Sequence, residues 1–481
     1  MTEQLNGLRR ILNEAIDDII AACAKRNEEF PSIDNPAQPS EFSPHGIRND
    51  PTVSHAIKLG VAAAHQLVAT LQSPMQTVIG IGTYTTLPGN VAVVERTHVA
   101  EIIRQYGKGG MCAADIVKYN GTSADKLERI LRHLATHHVF REVSPGVFAH
   151  NMLSSLLDTG KDVELIMKNL DGKFDGTNGL AAYISSLTSE QIKTYASMWN
   201  LMTDDPRADS QELNETSFQR AYDTNLTFWQ FLDLPENDFS RRRFDCAMQG
   251  VSSMQPPGTI LTTYDWNSMP ESGTIVDVGS GLGHVSLEIA SVRPDLTFIL
   301  EDRPSVLEDA RKYWTQHAPE LVENAHFIAT DYLCPQPQLP TVPDILLLRF
   351  ILHNLSDKYA TILLKHLRAI AKSSTKLIVV DYVVEHACLT PRNLDSESQD
   401  TIPGAAAPAA PSPLLPNYGL AGALTYQMDM IMLAHFNAKE RTIEHWIDLF
   451  SASGWRLVKV NRDPTNKTDW PLLVAEVVEG L

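Results

Sequence analysis

Cysteine is scarce in this chain: five residues, at positions 23, 112, 246, 334 and 388, with no Cys-x-x-Cys pair among them. So sparse and odd a set excludes a disulfide framework and a thiolate zinc site, and it fits reduced thiols in a cytosolic protein. Positive charge is short as well. Forty Lys and Arg stand against 58 Asp and Glu, for a net charge of −18. Such a chain repels phosphate backbones, which removes nucleic acid as a default partner. No run approaches the ~18 uninterrupted apolar residues that a membrane span needs. The first twenty residues carry acids throughout and have no apolar centre, unlike a secretory signal. A cytoplasmic protein without membrane segments is expected.

What is present is a long chain, 481 residues with 43% hydrophobic content, enough for two or three domains at ~100–200 residues each. Apolar residues at Leu5, Leu8, Ile11, Leu12, Ile16, Ile19 and Ile20 fall on one helical face over 3–28. A Pro- and Ser-rich loop follows, then a second helix over about 52–72. The next pattern is His98–Tyr106, Ala113–Tyr119 and Ser123–His137 as helices, with Ser123 at the N-cap of the third. Val139–Val143 and Val147–His150 around Ser-Pro-Gly read as a hairpin. Three helices and a hairpin make a winged helix, which taken alone suggests a DNA-binding module. Its third helix has Lys126, Arg129 and Arg132, but Asp125 and Glu128 lie among them. The charge mixture favours a solvated face. Residues 152–270 read as mostly helical, with aromatic and Met clusters that include Phe218, Tyr222, Phe228, Trp229 and Met248. These suit either a core or the wall of a pocket for a planar ligand.

From Gly273 the rhythm changes to strand and helix in alternation. Strands are expected at Thr274–Val278, Leu296–Glu301, His326–Ala329, Asp344–Leu348 and Lys376–Tyr382, with a late antiparallel pair at Trp455–Val460 and Trp470–Val478. This alternation indicates a doubly wound α/β domain with its ligand outside the carboxyl ends of the strands. The expected division is N-terminal helices and loop over 1–90, a winged-helix domain over 91–160, a helical linker and pocket region over 161–270, and the α/β domain over 271–481. A Pro-, Ala- and Ser-rich loop, 389–418, interrupts the last of these and has little to bury.

The first α/β strand ends in Val276-Asp-Val-Gly-Ser-Gly-Leu-Gly-His284. Glycines at 279, 281 and 283 form a tight turn where a ligand can lie against bare backbone. Asp302, just past the second strand, stands where an acid accepts hydrogen bonds from both hydroxyls of an adenosine ribose. Asp331 and Tyr332 end the third strand, where a carboxylate can take the adenine amino group and a ring can cover its face. These features fit either a dinucleotide or S-adenosylmethionine. The fourth strand leads to His353, a candidate general base able to take a phenol proton near neutral pH. Asp381, after the fifth strand, and Glu440 are carboxylates that would orient the imidazole and favour its protonated form.

These segments resemble the plant-type small-molecule O-methyltransferase family that includes caffeic acid O-methyltransferases, and most closely its fungal, sterigmatocystin O-methyltransferase-like branch. VDVGSGLG is similar to the family's cofactor turn, with Gly279 and Gly281, EDRPSVLEDA to its ribose turn and IATDYL to its adenine turn. LLLRFILHNLSD resembles its catalytic-base segment, and MDMIMLAHFNAKERT the segment bearing a catalytic carboxylate. The resemblance implies a Rossmann-like methyltransferase domain with S-adenosyl-L-methionine as cofactor, and a winged helix that serves to build a homodimer and binds no DNA. It implies His353 as base and Asp381 and Glu440 as its carboxylates. It implies Arg349 as a basic cofactor contact beside Asp302, Asp331 and Tyr332. The stretch Phe244–Ser252 is similar to one that supplies substrate and cofactor contacts, which gives Met248 and Ser252. Phe218, Tyr222 and Met432 are further candidates for the substrate wall. The implied substrate is an aromatic small molecule with a phenolic hydroxyl, of the kind found in fungal secondary metabolism, and no metal is required. Four departures from the family pattern stand out, one of them the length of the Pro-rich loop. Asn354 follows the base where plant relatives usually have Asp. The turn before Glu440 is shorter. Asp381 replaces the more usual Glu, with Glu385 as an alternative. A nicotinamide-dependent oxidoreductase and a winged-helix regulator with a degenerate methyltransferase domain are the alternative readings.

Overall fold

An N-terminal pair of helices shows how the sequence builds the first of two structural units. Thr2–Arg26 buries Leu8, Ile11 and Ala15, and Pro51–Leu71 buries Val53, Ala56 and Ala63. The two helices pack along each other through these faces. Asp50 starts the second helix by accepting from the backbone N–H groups of Thr52 and Val53, with Pro51 in the first turn. A computed structural model describes residues 2–43, 45–204, 206–253, 258–389, 401–462 and 470–479. One unit comprises Met1–Asn200 with Ser217–Pro256; the other comprises Leu201–Thr216 with Pro257–Leu481.

The winged helix lies in the first unit. Its strands are β1 (Met111–Cys112), β2 (Arg141–Ser144) and β3 (Val147–Ala149), in the order β1-β3-β2. The helices Ala113–Asn120 and Ala124–Thr136 pack on it through Ile116, Leu127, Leu131 and Leu134. Ser123 is at the N-cap, but its side chain makes no capping bond. Arg132 is engaged by Glu128 at 2.7 Å and by Glu142 at 2.8 Å. The rest of the unit is short helices and aromatic packing. Phe218 is fully buried, stacked on Tyr222 at 4.7 Å and edge-on to Phe228 and Phe231.

The second unit holds a seven-stranded sheet. Five strands run parallel: β4 (Thr274–Val278), β5 (Thr297–Asp302), β6 (Ala325–Ala329), β7 (Ile345–Arg349) and β8 (Lys376–Val380). β9 (Trp455–Asn461) and β10 (Leu472–Val477) close the sheet antiparallel, in the order β6-β5-β4-β7-β8-β10-β9. Every residue of β4 is buried. Its neighbours have the same character because helices cover both faces, and parallel strands so covered read as continuous apolar runs. Each fully buried Val, Leu or Ile contributes roughly 1.5–3 kcal/mol. Core clusters on the two faces, one around Leu346, Leu348 and Trp446 and the other around Ile275, Phe298 and Trp314, hold the sheet between them. From β4 the chain moves outward to β5 and β6, then crosses back to β7 on β4's other side. The reversal opens a crevice at the carboxyl ends of β4 and β7, where ligands of such folds bind.

The Pro- and Ala-rich segment is more packed than its composition suggests. Its 390–400 portion lies outside the described residues. Of the rest, Ala405 is fully buried, and Ala410 and Leu414 nearly so. Val460 donates its N–H to the Pro403 carbonyl, and Arg462 donates to the carbonyls of Gly404 and Ala405. This segment therefore occupies part of the free edge of β9, a common way to blunt an edge strand. Among the described residues no helix is long and apolar enough to cross a membrane.

Candidate active site

The glycine turn is built by close approach. Gly279, Gly281 and Gly283 all have positive φ, at 69°, 57° and 75°, which glycine adopts without penalty. The backbone N–H groups of Gly279 and Ser280 donate to the Glu301 carbonyl at 2.8 and 3.0 Å, pinning the turn to the end of β5. A Cβ on Gly279 would meet Ile351 at 2.3 Å, and one on Gly283 would meet Trp314 at 2.6 Å and Leu300 at 2.8 Å. A Cβ on Gly281 would meet nothing within 4 Å. The first and third glycines thus serve packing. The middle one leaves a bare, open stretch of backbone that fits a ligand laid across it.

Around this cradle Asp277 and Glu301 are buried and Asp302 partly so. Asp302 ends β5, and its Oδ2 accepts from the Gly281 N–H at 2.9 Å while Oδ1 accepts from the Arg303 N–H at 2.7 Å. Burial raises its pKa against these hydrogen bonds. Asp277, inside β4, is pushed up to about 6 by burial, with the Ser286 hydroxyl donating to it at 2.6 Å. Glu301, without exposure, is pushed up to about 7 by burial and by Asp277. Arg349 ends β7, and burial lowers its pKa against the pull of Asp277, Glu288 and Asp381. Asp331 is exposed and caps the Leu333 N–H at 2.9 Å. Tyr332 is half-buried, its hydroxyl pushed up to about 12 by burial and by the charges of Asp302 and Asp331.

His353 sits in a single 3₁₀ turn, Leu352–Asn354, just past β7. Asn354 steadies the turn by donating to the Phe350 carbonyl at 2.9 Å. The imidazole Nδ1 lies 2.8 Å from Oε1 of Glu440, and both side chains are almost closed to solvent. Burial works to lower the imidazole pKa, but the Glu440 and Asp381 carboxylates outweigh it and hold it above the usual value. Asp381 lies just beyond β8 without exposure; burial pushes its carboxyl up to about 7, opposed by the His353 charge. Glu440 is fixed from behind, its N–H donating to Asp429 Oδ1 at 2.9 Å. Glu385 is taken up elsewhere, 3.0 Å from Arg462. Met432 is buried on the helix Ala423–Phe436, which packs on the His353 turn. The second unit therefore gathers His353, Asp381 and Glu440 into one buried group, and gathers the glycine turn with Asp302 at the neighbouring strand ends.

The remaining candidates lie in the first unit. Phe218 and Tyr222 belong to its aromatic cluster, and Met248 is 37% exposed on the helix Asp238–Ser253. Ser252 falls in the last turn of that helix, and its side chain lies outside the described residues. Two residues that the sequence did not single out belong to the His353 group or its frame: Asp429 and Arg441. Arg441 left a signal, a charged residue directly after Glu440 and just before the apolar helix Ile443–Ala452.

Residues 199–401 match the family described as O-methyltransferase domain. The chain is 36% identical to an O-methyltransferase of Armillaria gallica over 462 residues, which cover 96% of each chain. It is 34% identical to 4-O-methyltransferase 1 of Phanerochaete chrysosporium over 467 residues, again 96% of each. Among solved structures, LepI in complex with SAM has a TM-score of 0.65 at 16% identity, covering 88% of this chain and 94% of that one. An O-methyltransferase from neocarzinostatin biosynthesis, in complex with S-adenosyl-L-homocysteine and 1,4-dihydroxy-2-naphthoic acid, has a TM-score of 0.57 at 20% identity, covering 82% of this chain and 96% of that one.

Proposed function

The chain belongs to the O-methyltransferase family, and from that premise we propose that it methylates a phenolic hydroxyl of an aromatic small molecule, with S-adenosyl-L-methionine as cofactor and His353 as general base. Family membership carries the cofactor choice that a glycine turn alone leaves open. The observation that supports the base is the buried His353–Glu440 pair beside Asp381, at the strand-end crevice next to the glycine cradle.

When bound, the cofactor supplies a methyl group already activated by a sulfonium, so the protein's residues have three tasks. Asp302, the Gly281 backbone, Asp331, Tyr332 and Arg349 would hold it. The open side of Gly281 and the part-buried carboxylate of Asp302 fit that role. Glu440 accepts from Nδ1–H of His353 and leaves the Nε2 lone pair to take the phenol proton. Asp381 adds negative charge that steadies the imidazolium so formed. Much of the rate gain comes from alignment, with proton removal added. Met432, buried on the helix that packs against the His353 turn, is assigned to the substrate side. The relatives are fungal O-methyltransferases and one structural neighbour is in complex with 1,4-dihydroxy-2-naphthoic acid, which supports the proposal of an aromatic substrate, here assigned to fungal secondary metabolism.

We also propose a homodimer. Between Lys58 and Glu95 the chain has no Asp, Glu, Lys or Arg. The helix Pro74–Thr83 within that stretch buries none of its residues and leaves Met75, Val78 and Ile81 open. An apolar face of this kind marks an interaction site.

The function is tested with His353→Ala and a panel of phenols, read by mass spectrometry. Methyl transfer falls by about 10²–10⁴-fold, the usual worth of a general base, while calorimetry with S-adenosylhomocysteine gives an unchanged affinity. Turnover that survives the substitution sinks the assignment of the base.

A further inference from the structure

Arg441 is fully buried, and a buried guanidinium is tolerable only when its donors are met. Here they are met by the His353 turn itself. Nη1 donates to the Leu352 carbonyl and Nη2 to the Leu355 carbonyl, each at 2.8 Å. Those carbonyls bracket His353. Nε donates to Asp357 Oδ1 at 3.0 Å, at the start of the next helix, Asp357–Ile370. The guanidinium carbon lies 5.3 Å from the Trp446 ring centroid. The backbone of Arg441 faces another way. Its carbonyl accepts from the Val384 N–H at 3.0 Å, and it forms a parallel bridge with Val383, two residues past Asp381. Its chain neighbour is Glu440. One residue therefore touches all three segments that carry His353, Asp381 and Glu440.

We infer that Arg441 is the positioning residue of this site: it fixes the turn that carries the imidazole and holds that turn in register with both carboxylate-bearing segments. The inference rests on His353 being the base. Only a planar guanidinium, with donors fanned in one plane, can reach two carbonyls and a carboxylate together; a lysine ammonium is a compact point charge on a flexible stem. A displacement of ~1 Å in a catalytic group can cost ~10²-fold in rate. The cation also opposes protonation of His353 and Asp381, which provides a readout that a purely structural role would not move.

The test compares Arg441→Lys, Arg441→Met, Asp357→Asn and His353→Ala in the full chain. S-adenosylhomocysteine affinity serves as the check on folding, because its cradle lies on β4 and β5. Arg441→Lys is expected to keep that affinity and lose about 10–100-fold in kcat, with the acid limb of the kcat/KM profile in place. Arg441→Met loses at least as much, and its acid limb moves to higher pH because a cation near His353 is gone. Asp357→Asn, which leaves both carbonyl contacts, loses about 3–10-fold. Arg441→Lys turning over within about twofold of wild type while His353→Ala is inactive overturns the inference and leaves the base intact. If His353→Ala retains turnover, the base fails and the role of Arg441 falls with it. Should both Arg441 variants lose cofactor affinity, Asp357→Asn decides: unchanged kcat overturns the inference.

Discussion

Oε1 of Glu440 lies 2.8 Å from Nδ1 of His353, on a side chain with no exposure to solvent. A carboxylate only accepts, so Nδ1 carries the ring proton and Nε2 the lone pair. Glu440→Gln tests how much this matters. The amide can donate to Nδ1, which moves the ring proton to Nε2 and removes the base. We expect kcat to fall by about 10²–10⁴-fold with cofactor affinity retained. Loss of the Glu440 charge also removes the main support of the raised His353 pKa. The acid limb of the remaining activity therefore moves to lower pH. A limb that stays in place would deny Glu440 its electrostatic part.

The same group makes stability depend on pH. The folded-state pKa of His353 is raised above 6.5, so its contribution is full below that value and is lost as pH rises through the folded pKa. Asp381 is raised from 3.8 to about 7, so its folded form also prefers the proton, and stability drains away as pH rises across that interval. Both signs agree. Asp381→Asn removes the second slope. It is expected to stabilise the protein by on the order of 1–3 kcal/mol at about pH 8, several degrees in Tm, and by little at about pH 4, while slowing methyl transfer. Thermal melts of both proteins across pH check this. An equal effect at both ends of the range counts against a charged Asp381 at pH 8.

Much of this arrangement was legible in the chain because burial on both sides of a parallel sheet leaves a plain record. Thr274–Val278 is expected as a strand and is one, and the other six strands begin and end within two residues of their expected termini. Chemistry-bearing residues at strand ends were legible for the same reason, since the strand marks where to look. Packing roles were not. Nothing in Gly-Ser-Gly-Leu-Gly tells that Gly279 yields to Ile351 and Gly283 to Trp314 while Gly281 stays open. Those neighbours arrive from distant parts of the chain. Phe218 could be wall or core by composition, and its three ring partners make it core. Arg441 leaves little mark in the sequence, because a charged residue in a polar turn is usually solvated.

The glycines give a clean separation of folding from binding. Gly281→Ala adds a Cβ to open space, at the cost of a left-handed backbone, about 1 kcal/mol. We expect a folded protein whose affinity for S-adenosylhomocysteine drops by about 10-fold or more, since 1.4 kcal/mol of lost contact is enough. Gly283→Ala drives a methyl into Trp314 and Leu300, and is expected to cost about 2–4 kcal/mol of stability through overpacking and strain together. Calorimetry and thermal melts on both variants read the two effects. If Gly281→Ala binds the cofactor product normally, the cradle does not lie on that backbone.

The helix Pro74–Thr83 offers the test of the homodimer. Met75, Val78 and Ile81 are each more than 60% exposed. Covering them on association is worth roughly 1.5–3 kcal/mol per side chain. Val78→Asp with Ile81→Asp places four charges in a twofold contact if two copies meet there, and disturbs nothing within one chain because the helix buries none of its residues. The variant is expected to keep its circular dichroism and its cofactor affinity. Light scattering should give the mass of one chain, 53.3 kDa, where the wild type gives twice that. If dimerisation serves catalysis, methyl transfer by the variant falls as well and recovers when its concentration is raised, because mass action can restore a weakened interface. A wild type that scatters as a single chain would leave this face to some other partner.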